Sequence, residues 1–304
     1  MHILSDIRFI FRLIVLGCAL FLPAGQAWAS LNILACEPEW AALAVEIGGE
    51  HVSVSSATTA MQDPHHVQAR PSLIAKARRA DLLICSGAGL EAGWLPVLIK
   101  KSANPRIRPG KPGHLLASKY VELLGGQATD KGGLHSKGNP HIHFDPHKLL
   151  TIAQTLAQAM ATIDSDNAKD FNNNLDHFTQ DWNKAIQAWQ QQAGALKGKP
   201  VIVHHDSWVY LFAWLGIKQV ATLEPRHGVP PSSGHLASLL DSIKTQPADM
   251  IIRSGYEDPR PSQWLADKSG IPVVTIPFSV TDYQIRGNLR QWMGEVMEKL
   301  GQGK

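Results

Sequence analysis

Along the mature part of the chain, short apolar runs alternate with segments whose apolar positions recur at three- and four-residue steps. Leu31–Ala35 reads as a strand, followed by a helix through Trp40, Leu43 and Ile47 that stops at Gly48-Gly49. Val52–Val54 is a second strand, Ser72 stands as a cap before a helix over 73–79, and Asp81–Ile84 is a strand again. A helix is expected over 90–100 and a loop over the Pro- and Gly-rich 104–113. The alternation restarts later, with strands at 201–203, 249–252 and 271–276 and helices at 208–215, 261–268 and 288–300. Such β–α alternation predicts parallel sheets with helices on both faces.

Between the two series lies a helical stretch. Leu149, Ile152, Leu156, Ala159 and Ile163 share one face of a helix from Lys148. Then Phe171, Leu175, Phe178, Trp182, Ile186, Trp189, Ala193 and Leu196 follow at steps of 4, 3, 4, 4, 3, 4 and 3. Gly198-Lys199-Pro200 ends the run. A helix of about thirty residues reaches about 45 Å, longer than one small domain is wide, so it is expected to bridge two lobes. The fold class predicted is α/β, two lobes with parallel-rich sheets joined by a long rigid helix. The expected division is 1–29 leader, 30–164 N-terminal lobe, 165–198 linking helix and 199–304 C-terminal lobe.

The leader carries Arg8 and Arg12, an apolar run from Leu13 to Leu22 and the small-x-small site Ala27-Trp28-Ala29. It reads as a secretory signal peptide, which puts the mature protein in the periplasm. The run Val15-Leu16-Gly17-Cys18 has a bulky Leu16 where a lipidation signal has a small residue, so a lipid anchor on Cys18 is not expected. Once the leader leaves, Cys36 and Cys85 remain, each after a predicted strand. In an oxidising compartment they are expected to pair as a disulfide if those strands are parallel neighbours. A net charge of +3 over 304 residues is too small to argue for nucleic acid.

The chemistry concentrates in Asn139-Pro140-His141-Ile142-His143-Phe144-Asp145-Pro146-His147, after a Gly-rich loop containing Gly132, Gly133 and His135. Imidazole nitrogens suit zinc and other first-row metals, and zinc takes about four donors. His141 and His143 on an extended segment point to opposite sides, so further ligands must come from elsewhere. Three stretches at or after strand ends supply candidates: Asp63-Pro64-His65-His66, His204-His205-Asp206, and Ser279-Val280-Thr281-Asp282. Open α/β sheets bind ligands at the carboxyl ends of their strands. The expected metal set is His65, His141, His205 and Asp282. His66, His143, His147 and His204 are expected around that set or facing solvent, with Asp63, Asp145 and Asp206 as partners for the ligating rings.

These motifs resemble those of a known family. Asp63-Pro64-His65 with Pro71-Ser72, Asn139-Pro140-His141, and His205-Asp206-Ser207-Trp208-Val209-Tyr210 are similar to the three histidine motifs of the periplasmic metal receptors of bacterial ABC transporters (cluster A-I, ZnuA/AztC-like). Leu223-Glu224-Pro225, Gly228, Pro231-Ser232 and His235-Leu236 extend the likeness, which covers essentially the whole mature chain. The resemblance implies metal at His65, His141 and His205, with a carboxylate from the C-terminal lobe, and two lobes bridged by a helix. It implies an inner-membrane ABC permease as partner, a monomeric receptor and no enzyme activity, and the Gly125–Asn139 loop with His135 is open to two readings, weak metal capture or acceptance of metal from a periplasmic donor protein. Asp282 stands in only loosely for the family's Asp near the last strand.

Three neutral imidazoles favour Zn²⁺ over Mn²⁺, which prefers oxygen donors. The expected function is therefore a high-affinity zinc receptor. The alternatives are a manganese receptor, a metal-dependent adhesin of the same fold, and a secreted zinc hydrolase. The last rests on the nearness of His141-x-His143-x-Asp145-Pro146-His147 to a metallo-β-lactamase-like signature, which Pro146 interrupts.

Overall fold

The computed structural model describes residues 30–125, 138–226 and 228–303. The leader with Cys18 and most of the Gly125–Asn139 loop, His135 included, lie outside the described residues. No helix among the described residues is long and apolar enough to cross a membrane.

The first lobe contains strands β1 (Leu31–Ala35), β2 (Val52–Ser56), β3 (Leu82–Cys85) and β4 (His114–Leu116) with helices α1 (Pro38–Gly48), α2 (Pro71–Arg79) and α3 (Leu95–Ser102). Then come α4 (Pro146–Ile163) and the long α5 (Ala168–Gln192). The second lobe has β5 (Pro200–Val203), β6 (Lys218–Thr222), β7 (Met250–Ser254) and β8 (Val273–Ile276) with α6 (Val209–Leu215), α7 (Ser233–Ile243), α8 (Pro259–Ser269) and α9 (Asn288–Gln302). Both sheets are wholly parallel and share one order, β2-β1-β3-β4 and β6-β5-β7-β8. The strands that follow the first crossover therefore occupy equivalent places in the two lobes.

Side chains alternate across each central strand, as a pleat requires. Ile33 and Ala35 of β1 face one core while Leu34 and Cys36 face another. Val201 and Val203 of β5 face the first core, and Ile202 faces a third. The first core runs through both lobes: Trp40, Phe144, Trp182, Trp208, Phe278 and Trp292 all belong to it. One continuous core couples the lobes, so separating them widely would expose apolar surface at roughly 25 cal/mol per Å².

Helix α5 has 25 residues, which makes it about 38 Å long. It packs against α1 and α4 and also against α9 of the second lobe, so it bridges the two lobes as the periodicity implied. The Trp182 indole donates to the Pro146 carbonyl at 2.8 Å, and Asn174 donates to the Ile47 carbonyl at 3.0 Å. These bonds fix α5 to the starts and ends of neighbouring helices.

Several elements differ from the sequence reading. Helix α2 starts at Pro71, with Arg70 before it and no side-chain cap, so Ser72 lies inside the first turn. Proline suits that first position because its missing N–H has no partner there in any helix. Helix α3 begins at Leu95, after a tight turn in which Ala88 and Gly89 have φ of 51° and 97°. Strand β4, strand β6 and helix α7 were not expected. Strand β6, Lys-Gln-Val-Ala-Thr, is an edge strand with no fully buried residue, so no apolar run announced it.

Candidate metal centre

Each of three loops at the strands' carboxyl ends presents one imidazole. His65 follows β2, and its backbone N–H donates to Asp63 Oδ1 at 2.9 Å, which closes a local turn at Asp-Pro-His. The turn is fastened from below, because the buried Trp94 indole donates to the Pro64 carbonyl at 3.0 Å. His141 follows β4, and its backbone N–H donates to Asn139 Oδ1 at 2.9 Å. Asn139 also ties the two lobes: its Nδ2 donates to the Asp206 carbonyl at 2.6 Å, and its own carbonyl accepts the Tyr210 hydroxyl at 2.7 Å. The Asn-Pro-His and His-Asp motifs are thus one hydrogen-bonded unit.

His205 follows β5. Its Nδ1 lies 2.8 Å from Glu224 Oε2, which also accepts the Gly228 N–H at 3.1 Å. With Nδ1 engaged, Nε2 is the atom turned to the site. A carboxylate on the far nitrogen fixes the ring and raises its basicity, the usual arrangement behind a metal-bound histidine. Burial works against charge on His205, but the bond to Glu224 and the surrounding carboxylates outweigh it, and the pKa is raised. Burial likewise opposes charge on Glu224, yet His205 holds its pKa below the ordinary value.

The three imidazoles meet. Ring centroids are 5.7 Å apart for His65–His141, 5.8 Å for His65–His205 and 5.6 Å for His141–His205. One nitrogen from each lies within 4.8 Å of the others. Tetrahedral zinc at 2.0–2.1 Å places its ligands about 3.3 Å apart, so a contraction of an ångström or so would seat an ion. His141 is fully buried, with its ring edge-on to Phe278 at 5.5 Å, so the floor of the site is apolar. A dry floor strengthens any charge interaction above it. Three nitrogen donors suit a borderline-soft divalent cation.

Asp282 is not gathered with these rings. It is exposed, its Oδ1 accepts the Gln284 N–H at 3.3 Å, and its carbonyl accepts Asn288 Nδ2 at 2.8 Å. The reason lies in the segment after it, which is clasped to the first lobe. The Tyr283 hydroxyl accepts the Ser56 N–H at 3.2 Å, Gln284 donates to the Val54 carbonyl at 3.0 Å, and Arg286 donates to the Glu46 carbonyl at 3.1 Å. The turn is spent on that clasp.

The other histidines divide. His143 is fully buried, with Nε2 3.3 Å from the Phe278 carbonyl and Nδ1 3.2 Å from Glu39 Oε1. Burial pushes Glu39 up to about 7 and His143 down to about 3, so the imidazole is neutral and the contact is not an ion pair. His66 is exposed and faces Asp63 across 3.9 Å. Asp145 is the cap of α4, accepting the N–H groups of His147 and Lys148 at 2.8 and 3.2 Å. Glu224, the partner of His205, was visible in the sequence only as part of Leu-Glu-Pro; nineteen residues of separation hid the pairing. Cys36 and Cys85 are joined as a disulfide, as expected from β1 and β3 being parallel neighbours, so the Cys36–Cys85–Glu91 group is not a thiolate site.

A cavity of about 220 Å³ opens beside the rings, lined by His65 and His205 with Asp63, His66, His204, Glu224, Tyr256, Glu257 and others. Glu257 follows β7, and its Oε2 accepts the Ser254 N–H at 2.6 Å. Burial pushes its pKa up to about 7, against the Ser254 bond and the nearby His205. Burial also lowers the pKa of His204.

Two parallel-sheet lobes, a bridging helix and imidazoles converging between the lobes define a helix-bridged two-lobed protein with a cleft suited to a metal ion. The family model described as "ZnuA: Zinc-uptake complex component A periplasmic" matches residues 33–303, and the chain belongs to that family. The chain is 23% identical over 261 residues to "Zinc-binding lipoprotein AdcA" of Streptococcus pneumoniae, a match covering 82% of this chain and 50% of the relative. It therefore spans about half the length of that relative. It is 21% identical over 264 residues to "Manganese ABC transporter substrate-binding lipoprotein PsaA" of the same organism, covering 85% of this chain and 83% of the relative. Among solved structures, "Crystal structure of ZnuA" superposes with a TM-score of 0.73 at 23% identity, covering 88% of this chain and 98% of that one. That likeness bears out the predicted fold.

One expectation is corrected by these relatives. AdcA and PsaA are both named lipoproteins, which overturns the reading that a lipid anchor is not to be expected. The bulk of Leu16 ahead of Cys18 is not sufficient ground for excluding one.

Proposed function

We propose that the protein is the metal-binding receptor of an ABC uptake system, with Zn²⁺ as cargo held by His65, His141 and His205. The observation that carries this reading is the meeting of three imidazoles, two from loops of the first lobe and one from the second, within 4.8 Å. Family membership supports the receptor role. The all-nitrogen imidazole set supports zinc over manganese, although one relative is named for zinc and another for manganese. Residues 30–164 and 199–304 are the two bodies, and 165–198 links them.

Capture needs only the small contraction described above. The shared core and α5 resist wide opening, so loops and a modest lobe shift do the work. Release follows docking on a membrane permease; a periplasmic donor protein supplies metal, and a monomer suffices for either exchange. No bond is made or broken in the cargo beyond its coordination.

The test is a competition titration of zinc and manganese against a chromophoric chelator, on the wild type and on His141→Ala. Zinc should outcompete manganese, and His141→Ala should lower zinc affinity by about tenfold or more. Wild-type zinc affinity in His141→Ala would refute the site, and a preference for manganese would refute the choice of metal.

A further inference from the structure

We propose that Glu257 is the carboxylate that completes the shell of the divalent cation held by His65, His141 and His205, with Oε1 turned onto the ion. The inference rests on the tri-histidine reading and deepens it. Four observations lead to it. First, Glu257 lines the same cavity as His65 and His205. Second, it is nine-tenths buried, an expensive place for a carboxylate. Third, its two oxygens differ: Oε2 is held by the Ser254 N–H at 2.6 Å, whereas Oε1 is buried with no hydrogen-bond partner among the described residues. Fourth, the sequence's own candidate, Asp282, is committed to an exposed turn.

Topology explains how Glu257 reaches the ion. β7 pairs directly with β5, so the loop after β7 lies beside the loop that carries His205. In the present arrangement only the three imidazoles fall within the 4.8 Å set. Seating an ion draws His205 toward His65 and His141, and Glu257, on the neighbouring strand of the same sheet, moves with it. The Ser254 N–H pins the carboxylate by one oxygen, so the other is pre-oriented and little side-chain freedom is lost on binding. Three neutral imidazoles leave two positive charges on the ion over an apolar floor, and one carboxylate halves that charge.

The test pairs zinc competition titration with the visible absorption of the Co²⁺-loaded protein, whose ligand-field bands report donor set and coordination number independently of affinity. Glu257→Gln keeps an acceptor for the Ser254 N–H and should fold. It should weaken zinc by about tenfold or more and change the Co²⁺ spectrum. Glu257→Asp, which keeps the charge and shortens the reach, should also change the spectrum. Asp282→Ala should change neither. If His141→Ala loses zinc while Glu257→Gln keeps wild-type affinity and spectrum, the Glu257 assignment is overturned and the tri-histidine site stands. If His141→Ala keeps zinc, the site itself is wrong and Glu257 falls with it.

Discussion

Glu224→Ala isolates the claim that the His205 ring is oriented from behind. The Glu224 carboxylate touches no other metal-site imidazole among the contacts described, but its Oε2 holds both His205 Nδ1 at 2.8 Å and the Gly228 N–H at 3.1 Å. Removing it frees the ring and the Gly228 N–H together. Losing the partner of a ligating histidine typically costs 10–100-fold in metal affinity, or about 1.4–2.7 kcal/mol. Two bonds to one oxygen place the expected loss toward the upper end. Only 16% of the Glu224 side chain is exposed, and its removal leaves the buried His205 Nδ1 without that partner, so the fold should lose about 1–3 kcal/mol as well. The assay is zinc competition with a chelator, beside urea unfolding of the apo-protein. Affinity should fall at least tenfold at urea concentrations where the apo-variant is still fully folded, and Glu224→Gln should recover part of the loss. Affinity within twofold of wild type would refute the idea that Glu224 positions His205.

Two further predictions concern the fold beneath the site. Replacing both Cys36 and Cys85 with Ser opens a loop spanning 49 residues, and the chain-entropy relation sets the loss near 4 kcal/mol, checked by urea unfolding of the double variant against the oxidised protein. Glu91 is buried with its carboxylate against the Gly87 N–H at 3.0 and 3.1 Å, and burial raises its pKa from 4.5 to about 7. A raised carboxylate pKa means that the folded state holds the proton longer than the unfolded chain. Its contribution to stability is therefore complete below about pH 4.5 and lost as pH rises through about 7. Glu91→Gln should flatten that part of the profile, gaining stability relative to wild type at pH 8 and not at pH 4.5; equal differences at both would contradict it.

Periodicity carried most of the architecture because burial here is regular. The apolar steps of α5 survive intact, since that helix contacts both lobes along one face, with Phe171, Trp182, Ile186 and Trp189 buried. Strand β6 was illegible because an edge strand with polar residues needs no apolar run, and β4 because three residues show no period. Within the candidate site, His65, His141 and His205 were legible because each sits in a short motif, Asp63-Pro64-His65, Asn139-Pro140-His141 or His205-Asp206-Ser207-Trp208. A carboxylate partner for them was not legible in the same way. Asp282 looked suitable by its place after the last strand, but Tyr283, Gln284 and Arg286 bind that turn to the first lobe. Glu257 lies in the loop after β7 with no histidine near it in sequence, and only the β5–β7 pairing brings it beside His205. His143 read as a peripheral ring because local spacing cannot reveal that Glu39 and Phe278 enclose it from two different lobes.

Anomalous diffraction at the zinc edge, on crystals of the zinc-loaded protein, bears most directly on the shared cation. One strong peak should lie about 2.0–2.1 Å from a nitrogen of each of His65, His141 and His205. A peak bonded to imidazoles of one lobe alone, or lying outside the cleft, would contradict the receptor account.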